Sequence, residues 1–327
     1  MKQHFGRKLF LKLKGAFAAA LAALKARFAA LRLQPNNAVS NVVVNNFIAR
    51  SFMHIAGSLK YHVFTPSNYS AGMPLLVMLH GCKQDGETFA TGTRMNQLAE
   101  QHGFVVLYPT QSRMANVNQC WNWYQSINQH RNMGEPAVIA DMTREIVATY
   151  SINPAKVFIA GLSAGGAMAY IVGSQYPELY AGIGVHSGLP YKSATDVASA
   201  FAAMRGDPGI RGQRKPRRPA ANDPRMRTIV FHGDADRIVH PSNAAKIIEA
   251  QAQPGDSVER AKARSSASRA YTRAVTRDKT GSAVVEQWLI HGSGHAWSGG
   301  SPDGTYTDPH GPDASREMLR FSLEETR

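Results

Sequence analysis

From about residue 42 onward, short uninterrupted apolar runs alternate with longer stretches of helical period. Each run ends in glycine, proline or polar residues, and continuous apolar runs of this length are typical of strands buried on both faces. The predicted strands are residues 74–81, 104–109, 156–161, 182–188, 228–234 and 284–292. The predicted helices are residues 91–103, 137–150 and 167–177. This alternation predicts one α/β domain, residues 38–327, with a mostly parallel central sheet and helices on both faces.

The first 33 residues carry a different pattern. Leucines and phenylalanines recur at steps of three and four, with lysines and arginines between them. This period predicts a basic amphipathic helix, and we assign residues 1–37 to that helix and a linker. Three interpretations stay open: packing on the protein body or a second copy, binding to an apolar or anionic surface, or a secretory signal. Lys25 and Arg27 argue against the signal, because they fall where a neutral cleavage region belongs.

Composition and charge narrow the possible classes of protein. Of 327 residues, 43% are hydrophobic and 18% are charged, which fits a globular protein. The net charge is +14, but no zinc-finger spacing, RNA-recognition signature or glycine-rich phosphate loop accompanies it, so we expect no nucleic-acid partner. No apolar run reaches the length of a membrane span, so we expect no transmembrane segment. Residues 203–227 and 253–270, rich in Arg, Pro, Gly, Ser and Ala, are predicted surface insertions.

The candidate chemistry begins at the sequence GLSAG, residues 161–165. Ser163 lies between a predicted strand and a predicted helix, and so sharp a turn exposes the serine hydroxyl above the sheet edge. Glycines at 161 and 165 omit side chains that would clash within the turn. Ser163 is therefore a candidate nucleophile. The alternative is a loop that only connects the two elements.

A serine nucleophile needs a general base, and in this topology an acid and then a histidine follow it in loops after later strands. Asp236 is the candidate acid because it lies just past the strand 228–234, and Asp234 is the alternative. His295, in the loop GSGH, is the candidate base, whereas His291 lies nearer the strand and is expected to pack there. The two histidines also have a metal-like spacing, but no third ligand is evident, so we expect no metal.

The negative charge that develops on a carbonyl attacked by a serine needs backbone N–H donors. Ala164, directly after the candidate nucleophile, is expected to supply one donor, and the loop after the strand 74–81 the other. In that loop the candidate is the N–H of Cys82. The thiol of Cys82 either forms a disulfide with Cys120 or both cysteines remain buried thiols.

Six segments, in order, resemble the poly(3-hydroxybutyrate) depolymerase family of α/β-hydrolase esterases. They are LHGCKQ, CWNWY, GLSAGGAMAY, VHSGLPY, FHGDADRIVHP and GHAWSGG with the following YTDPHGPDASREML. The resemblance runs from about residue 45 to the C-terminus and implies an α/β-hydrolase fold that hydrolyses carboxylic esters without a metal or organic cofactor. It implies Ser163 as nucleophile, Asp236 and His295 as its partners, and Cys82 in the oxyanion loop.

The same segments supply candidate substrate-binding residues. They are Trp121, Asn122, Trp123, His186 and Trp297. Aromatic side chains beside a cleft are suited to hold an apolar acyl chain. The alternative for the aromatic residues is packing in the core or anchoring of loops.

The resemblance leaves several functions and locations open. The first hypothesis is a serine esterase of polyhydroxyalkanoates, their oligomers and short-chain esters. The second is an esterase of feruloyl or acetyl groups on plant polysaccharide, and a serine peptidase on the same scaffold is a further rival. A hypothesis from another class is a protein that binds polymer granules or an anionic surface through residues 1–33 and hydrolyses little. The family implies an extracellular or periplasmic location, whereas an uncleaved N-terminal helix favours storage granules in the cytoplasm.

Overall fold

The computed structural model describes residues 46–207 and 225–323. The predicted amphipathic helix and linker, residues 1–37, and most of the predicted insertion 203–227 lie outside these ranges. Among the described residues, no helix is both long and apolar enough to cross a membrane.

A ten-stranded sheet forms the centre of the described chain. In chain order its strands are β1 (Phe47–His54), β2 (Gly57–Phe64), β3 (Leu75–Leu79), β4 (Val105–Thr110), β5 (Val157–Leu162), β6 (Gly182–His186), β7 (Arg227–Gly233), β8 (Ser257–Arg264), β9 (Ala270–Arg277) and β10 (Ala283–Ile290). Their order across the sheet is β1-β2-β4-β3-β5-β6-β7-β10-β9-β8. The strands from β4 to β10 in that order are parallel, and the strands at both edges pair antiparallel. The prediction of a mostly parallel central sheet is confirmed.

Helices cover both faces of the sheet. They are α1 (Gly86–Thr93), α2 (Met95–His102), α3 (Gly134–Thr149), α4 (Ala164–Gln175), α5 (Val197–Met204), α6 (Ser242–Gln251) and α7 (Ala314–Leu323). Alternate residues of β3 enter two separate cores, because side chains alternate between the faces of a strand. Val77 packs in the core that contains buried residues of α3 to α6, and Met78 in the core of α1, α2 and α7.

The segment 253–270, expected at the surface, forms an exposed edge of the sheet. Residues 257–264 are strand β8, and every side chain in it is exposed. Because β8 buries no side chain, its sequence SVERAKAR lacks the apolar alternation that predicts a strand. The composition of this segment therefore predicted its surface position but did not predict the strand.

The parallel strands direct the site residues to one place. Ser163 follows β5, Asp236 follows β7 and His295 follows β10. The oxyanion candidate Cys82 follows β3. The carboxyl ends of parallel strands lie at one edge of a sheet, where open α/β proteins bind their ligands.

Candidate active site

Ser163 lies in the tight turn between β5 and α4. Its backbone has φ 57° and ψ −120°, a conformation that residues other than glycine rarely adopt, and its N–H donates to the carbonyl of His186 at 2.8 Å. A Cβ on Gly165 would lie 2.1 Å from the carbonyl oxygen of Leu79, and one on Gly161 would lie 2.4 Å from the carbonyl oxygen of Gly165. Both positions therefore require glycine, and neighbouring backbone holds the serine in its strained turn.

Asp236 and His295 meet at the same edge of the sheet. Nδ1 of His295 lies 2.7 Å from Oδ2 of Asp236. Because a carboxylate only accepts, Nδ1 carries the proton, which leaves Nε2 of the neutral ring free to accept one. Oδ1 of Asp236 accepts the backbone N–H groups of Ile238 and Val239, both at 2.9 Å. The Asp236 side chain is 0% exposed and that of His295 is 11% exposed, so the pair is shielded from water but open on one side.

A second buried histidine contributes to the charge state of Asp236. Nε2 of His232 lies 2.8 Å from the carbonyl oxygen of Val239 and 3.4 Å from Oδ2 of Asp236. Burial opposes ionisation of Asp236, but the hydrogen bonds from His232, His295 and the Val239 amide outweigh it and lower the pKa of this carboxyl well below its usual range. Asp236 is therefore a carboxylate at neutral pH, the form that orients an imidazole.

Ser163 is a partly exposed residue, and its hydroxyl makes no hydrogen bond to other described residues. In structures without substrate, hydrogen bonds between a nucleophile and its base are often long or poorly aligned and tighten on binding.

Two backbone N–H groups, one in the loop after β3 and one at the start of α4, were predicted as oxyanion donors. Within the described ranges, the amides of Cys82 and Ala164 donate no hydrogen bond to protein. Ala164 is the first residue of α4, where N–H groups lack intrahelical acceptors. A Cβ on Gly165 would also lie 2.4 Å from the carbonyl oxygen of His80, so the start of α4 packs against the end of β3, close to where the Cys82 loop begins.

The Cys82 loop is held from several sides. Cys82 forms a disulfide with Cys120, which confirms the bonded alternative. The N–H of Lys83 donates to the carbonyl of Asn118 at 2.7 Å, so the loop is tied to the Cys120 segment twice. Gln84 accepts the N–H of Gly81 at 2.9 Å through its side-chain oxygen. The position of the Cys82 amide is therefore fixed before any substrate arrives.

Sequence reasoning missed a network of hydrogen-bonded, mostly buried polar side chains next to this loop. His80 donates from Nδ1 to the carbonyl of Gly81 at 2.7 Å and accepts the N–H of Gln111 at Nε2. Burial lowers the pKa of His80 to about 4, which keeps the ring neutral and able to accept. The Gln111 amide donates to the carbonyl of Cys120 and to the carboxyl of Glu135, whose pKa burial raises. Because these residues meet only in the folded chain, the sequence carried no local signal for them.

The five candidate substrate-binding residues are all buried: Trp121, Asn122, Trp123, His186 and Trp297. The indole N–H of Trp121 donates to the carbonyl of His80, and that of Trp297 donates to the hydroxyl of Ser315. Nε2 of His186 accepts the N–H of Ser298, and the Asn122 amide donates to Glu135. These contacts favour packing and loop anchoring over a cleft wall. A direct role in substrate binding stays a prediction for these five residues.

His291 and His295 contact two different aspartates. Nδ1 of His291 lies 2.7 Å from Oδ2 of Asp234, in a pair separate from Asp236 and His295. His291 is half-exposed, although it was expected to pack near the strand. In the part of the chain that the structure describes, no three His, Cys, Asp or Glu side chains gather as metal ligands.

Comparison with known proteins identifies a matching family and similar proteins. Residues 59–270 match the family model described as Esterase PHB depolymerase. Poly(3-hydroxyalkanoate) depolymerase C of Paucimonas lemoignei is 32% identical over 266 residues, which cover 77% of this chain and 60% of that protein. Probable acetylxylan esterase A of Aspergillus fumigatus is 32% identical over 199 residues, 58% of this chain and 53% of that protein. The chain thus spans less than two thirds of the length of either relative.

A solved structure agrees with the fold. Acetyl xylan esterase from Aspergillus awamori superposes with a TM-score of 0.60 at 19% identity, covering 81% of this chain and 94% of that one. At this identity the likeness concerns the fold alone. It confirms the predicted α/β-hydrolase fold.

Proposed function

This chain belongs to the PHB depolymerase family of esterases, and from that premise we propose that it is a serine esterase with the triad Ser163, His295 and Asp236. The observation that carries the proposal is the 2.7 Å contact between His295 and a fully buried Asp236. This pair lies at the sheet edge where Ser163 occupies a strained turn with a free hydroxyl. An oriented imidazole and an exposed serine are the parts that acyl transfer requires.

The proposed reaction has two halves. Nε2 of His295 takes the proton of the Ser163 hydroxyl as its oxygen attacks the ester carbonyl, and Asp236 stabilises the imidazolium that forms. The amides of Cys82 and Ala164 donate to the oxyanion. The alcohol leaves with the proton from His295 as the carbonyl re-forms in an acyl-serine. Water, deprotonated by His295, then attacks that acyl group and releases the acid and the free serine.

We propose a polyhydroxyalkanoate, its oligomers and short-chain esters as the substrates. The similarity to poly(3-hydroxyalkanoate) depolymerase C supports this choice, because it extends over more of this chain than the similarity to acetylxylan esterase A does. Acetyl esters of plant polysaccharide are the second candidate, since the identity to acetylxylan esterase A is the same 32%.

We further propose that the enzyme works in an extracellular or periplasmic space. The Cys82–Cys120 disulfide supports this location, because structural disulfides persist in oxidising compartments and are rare in the cytosol.

The test of the proposed function is hydrolysis by the full chain and by its Ser163→Ala variant. We expect the wild type to hydrolyse p-nitrophenyl butyrate and to release 3-hydroxybutyrate from poly(3-hydroxybutyrate). We expect Ser163→Ala to lower kcat by at least about 10⁵-fold, because the nucleophile is lost. Its melting temperature should stay near that of the wild type, which separates loss of chemistry from loss of fold.

Each other outcome points to a different function. Undiminished turnover by Ser163→Ala contradicts the triad. Release of acetate from acetylxylan at a higher kcat/KM than release of hydroxybutyrate favours the polysaccharide esterase. A wild type that binds polymer but releases no acid from any ester indicates the non-catalytic granule-binding protein.

A further inference from the structure

A second aspartate–histidine pair joins the loops that carry Asp236 and His295. Oδ2 of Asp234 lies 2.7 Å from Nδ1 of His291, and Oδ1 of Asp234 accepts the N–H of Gly292, also at 2.7 Å. Asp234 is the first residue after β7, and His291 is the first residue after β10. One carboxylate therefore ties the two loops through both of its oxygens, and we call this pair the Asp234–His291 clamp.

The two loops also contact each other through their backbones. The N–H of Asp234 donates to the carbonyl of Ile290 at 3.0 Å, and the N–H of Ala235 donates to the carbonyl of Ser293 at 3.1 Å. A Cβ on Gly233 would lie 2.2 Å from the carbonyl oxygen of Ser293, so the His295 loop crosses directly over the end of β7. A shift of either loop must therefore move the other.

The far side of His291 is fixed to the neighbouring strand. Nε2 of His291 lies 2.9 Å from the hydroxyl oxygen of Thr272 in β9, and the His291 N–H donates to the carbonyl of Ala270. Since the carboxylate of Asp234 only accepts, Nδ1 carries the proton, and Nε2 of the neutral ring accepts from Thr272. The imidazole thus connects β9 to the loop after β7, although both clamp side chains are 37% exposed.

The segment between the clamp and His295 depends on external restraints. It contains Gly292, with φ +70°, and Gly294, and glycine has more backbone freedom to lose than any other residue. Ser293 contributes one restraint, because its hydroxyl donates to Asp308 at 2.6 Å. The carbonyl of Gly292 also accepts from Arg269 at 3.1 Å. The clamp contributes a further restraint, at the Gly292 amide, three residues before His295.

We propose that Asp234 and His291 are positioning residues, which hold the His295 loop so that Nδ1 of His295 stays on Asp236. This inference rests on the proposed function. The two side chains act through the backbone of residues 292–294 and need no contact with substrate. Because small misplacement of a reacting group costs up to about 10²-fold in rate, loss of the clamp lowers kcat and leaves KM nearly unchanged.

The test compares Asp234→Asn, His291→Asn and the double variant, each in the full chain. An asparagine has one acceptor oxygen where aspartate has two, so it cannot accept from Gly292 at one oxygen and from His291 at the other. We expect each single variant to lower kcat for p-nitrophenyl butyrate about 10-fold, with KM within about twofold of the wild type. The double variant should lose little more than either single variant, because the pair acts as a unit. Titration with a fluorophosphonate gives the concentration of enzyme with a reactive serine, and kcat is calculated from that concentration.

Asp141→Asn is the matched control. Asp141 accepts from the ring of His54 at 3.0 Å, but this aspartate–histidine pair joins β1 and α3. We expect its kcat to equal that of the wild type. The proposal is overturned if Asp234→Asn keeps kcat within about twofold of the wild type, if Asp141→Asn loses as much, or if the losses add in the double variant.

A spectroscopic readout decides the same question without a substrate. The proton shared by His295 and Asp236 should give a downfield proton NMR signal, assigned by its loss in His295→Ala. We expect that signal to persist in Asp141→Asn and to broaden or move upfield in Asp234→Asn. An unchanged signal in Asp234→Asn overturns the positioning role. Absence of ester hydrolysis by the wild type would instead contradict the proposed function, and the NMR signal would still test the clamp.

Discussion

Asp236 combines complete burial of its side chain with hydrogen bonds on both carboxylate oxygens. Oδ1 accepts two backbone N–H groups, and Oδ2 accepts the ring N–H of His295. Its lowered pKa means that the buried charge is retained rather than neutralised. Burial of an ionised carboxylate costs free energy unless the charge is hydrogen-bonded and paired, and these contacts meet that condition. Carboxyl groups with strongly shifted pKa values are concentrated at functional sites.

Replacing Asp236 by Asn removes the negative charge of the side chain and keeps its size and shape. The amide cannot accept the His295 proton and the two backbone N–H groups through different oxygens, so the ring loses the tautomer that acyl transfer needs. We expect kcat for p-nitrophenyl butyrate to fall about 10³–10⁴-fold, with KM little changed. Steady-state kinetics on Asp236→Asn and on Asp141→Asn measure this effect. A fall of less than about 10-fold would contradict the role of Asp236 in the triad.

Among the single residues, the sequence predicted those that the fold requires at a fixed position after a strand. Ser163, Asp236 and His295 follow strands in the order that the fold demands, and the loop positions favoured Asp236 over Asp234. For Trp121 and Trp297 the sequence left both a cleft wall and core packing open, because an aromatic residue near a motif does not reveal the direction of its side chain. Both side chains are buried. Glu135 and Gln111 had no sequence signal, since their partners come from other segments.

The loop between β3 and α1 has several restraints although it is short. The disulfide to Cys120, the Lys83–Asn118 hydrogen bond and the bond from His80 to Gly81 all act on this short turn. The turn presents the free amide of Cys82 to the same edge as Ser163. A donor fixed in advance stabilises a transition state without reorganisation during the reaction.

Removing the disulfide tests this restraint. The bond spans 38 positions of the sequence, and in the chain-entropy model a loop of that order contributes about 3–4 kcal/mol to the free energy of unfolding. We expect Cys82→Ala/Cys120→Ala to lose that amount in guanidinium titrations and to have a lower kcat, because the Cys82 amide is less well fixed. Wild type treated with a reductant should behave in the same way. A double variant with wild-type kcat would show that the other hydrogen bonds suffice to fix the amide.

The central strands of the sheet could be predicted from the sequence, whereas the edge strands could not. The central parallel strands agree with the apolar runs, because burial on both faces requires continuous apolar sequence. β8 is exposed along its whole length, and residues 47–64 form the β1–β2 hairpin with a mixed pattern of burial. Pairing partners, rather than composition, determine such edge strands, so a single sequence gives weak signals for them.

For the whole molecule, the decisive feature is that one edge of one sheet collects groups from distant parts of the chain. Cys82, Ser163, Asp236 and His295 follow β3, β5, β7 and β10 in turn. The sheet order places β6 between β5 and β7, and its end supplies the carbonyl that accepts the Ser163 N–H. The order of the strands thus determines where these residues lie, and the loops after the strands carry their functional groups.

Covalent labelling tests whether His295 activates Ser163. The full chain is treated with a fluorophosphonate, the labelling rate is followed by intact mass, and the labelled residue is identified by peptide mapping. We expect rapid labelling of Ser163 in the wild type and a rate about 10²–10⁴-fold lower in His295→Ala, because the general base is lost. Labelling at another residue, or an equal rate in His295→Ala, would contradict the account.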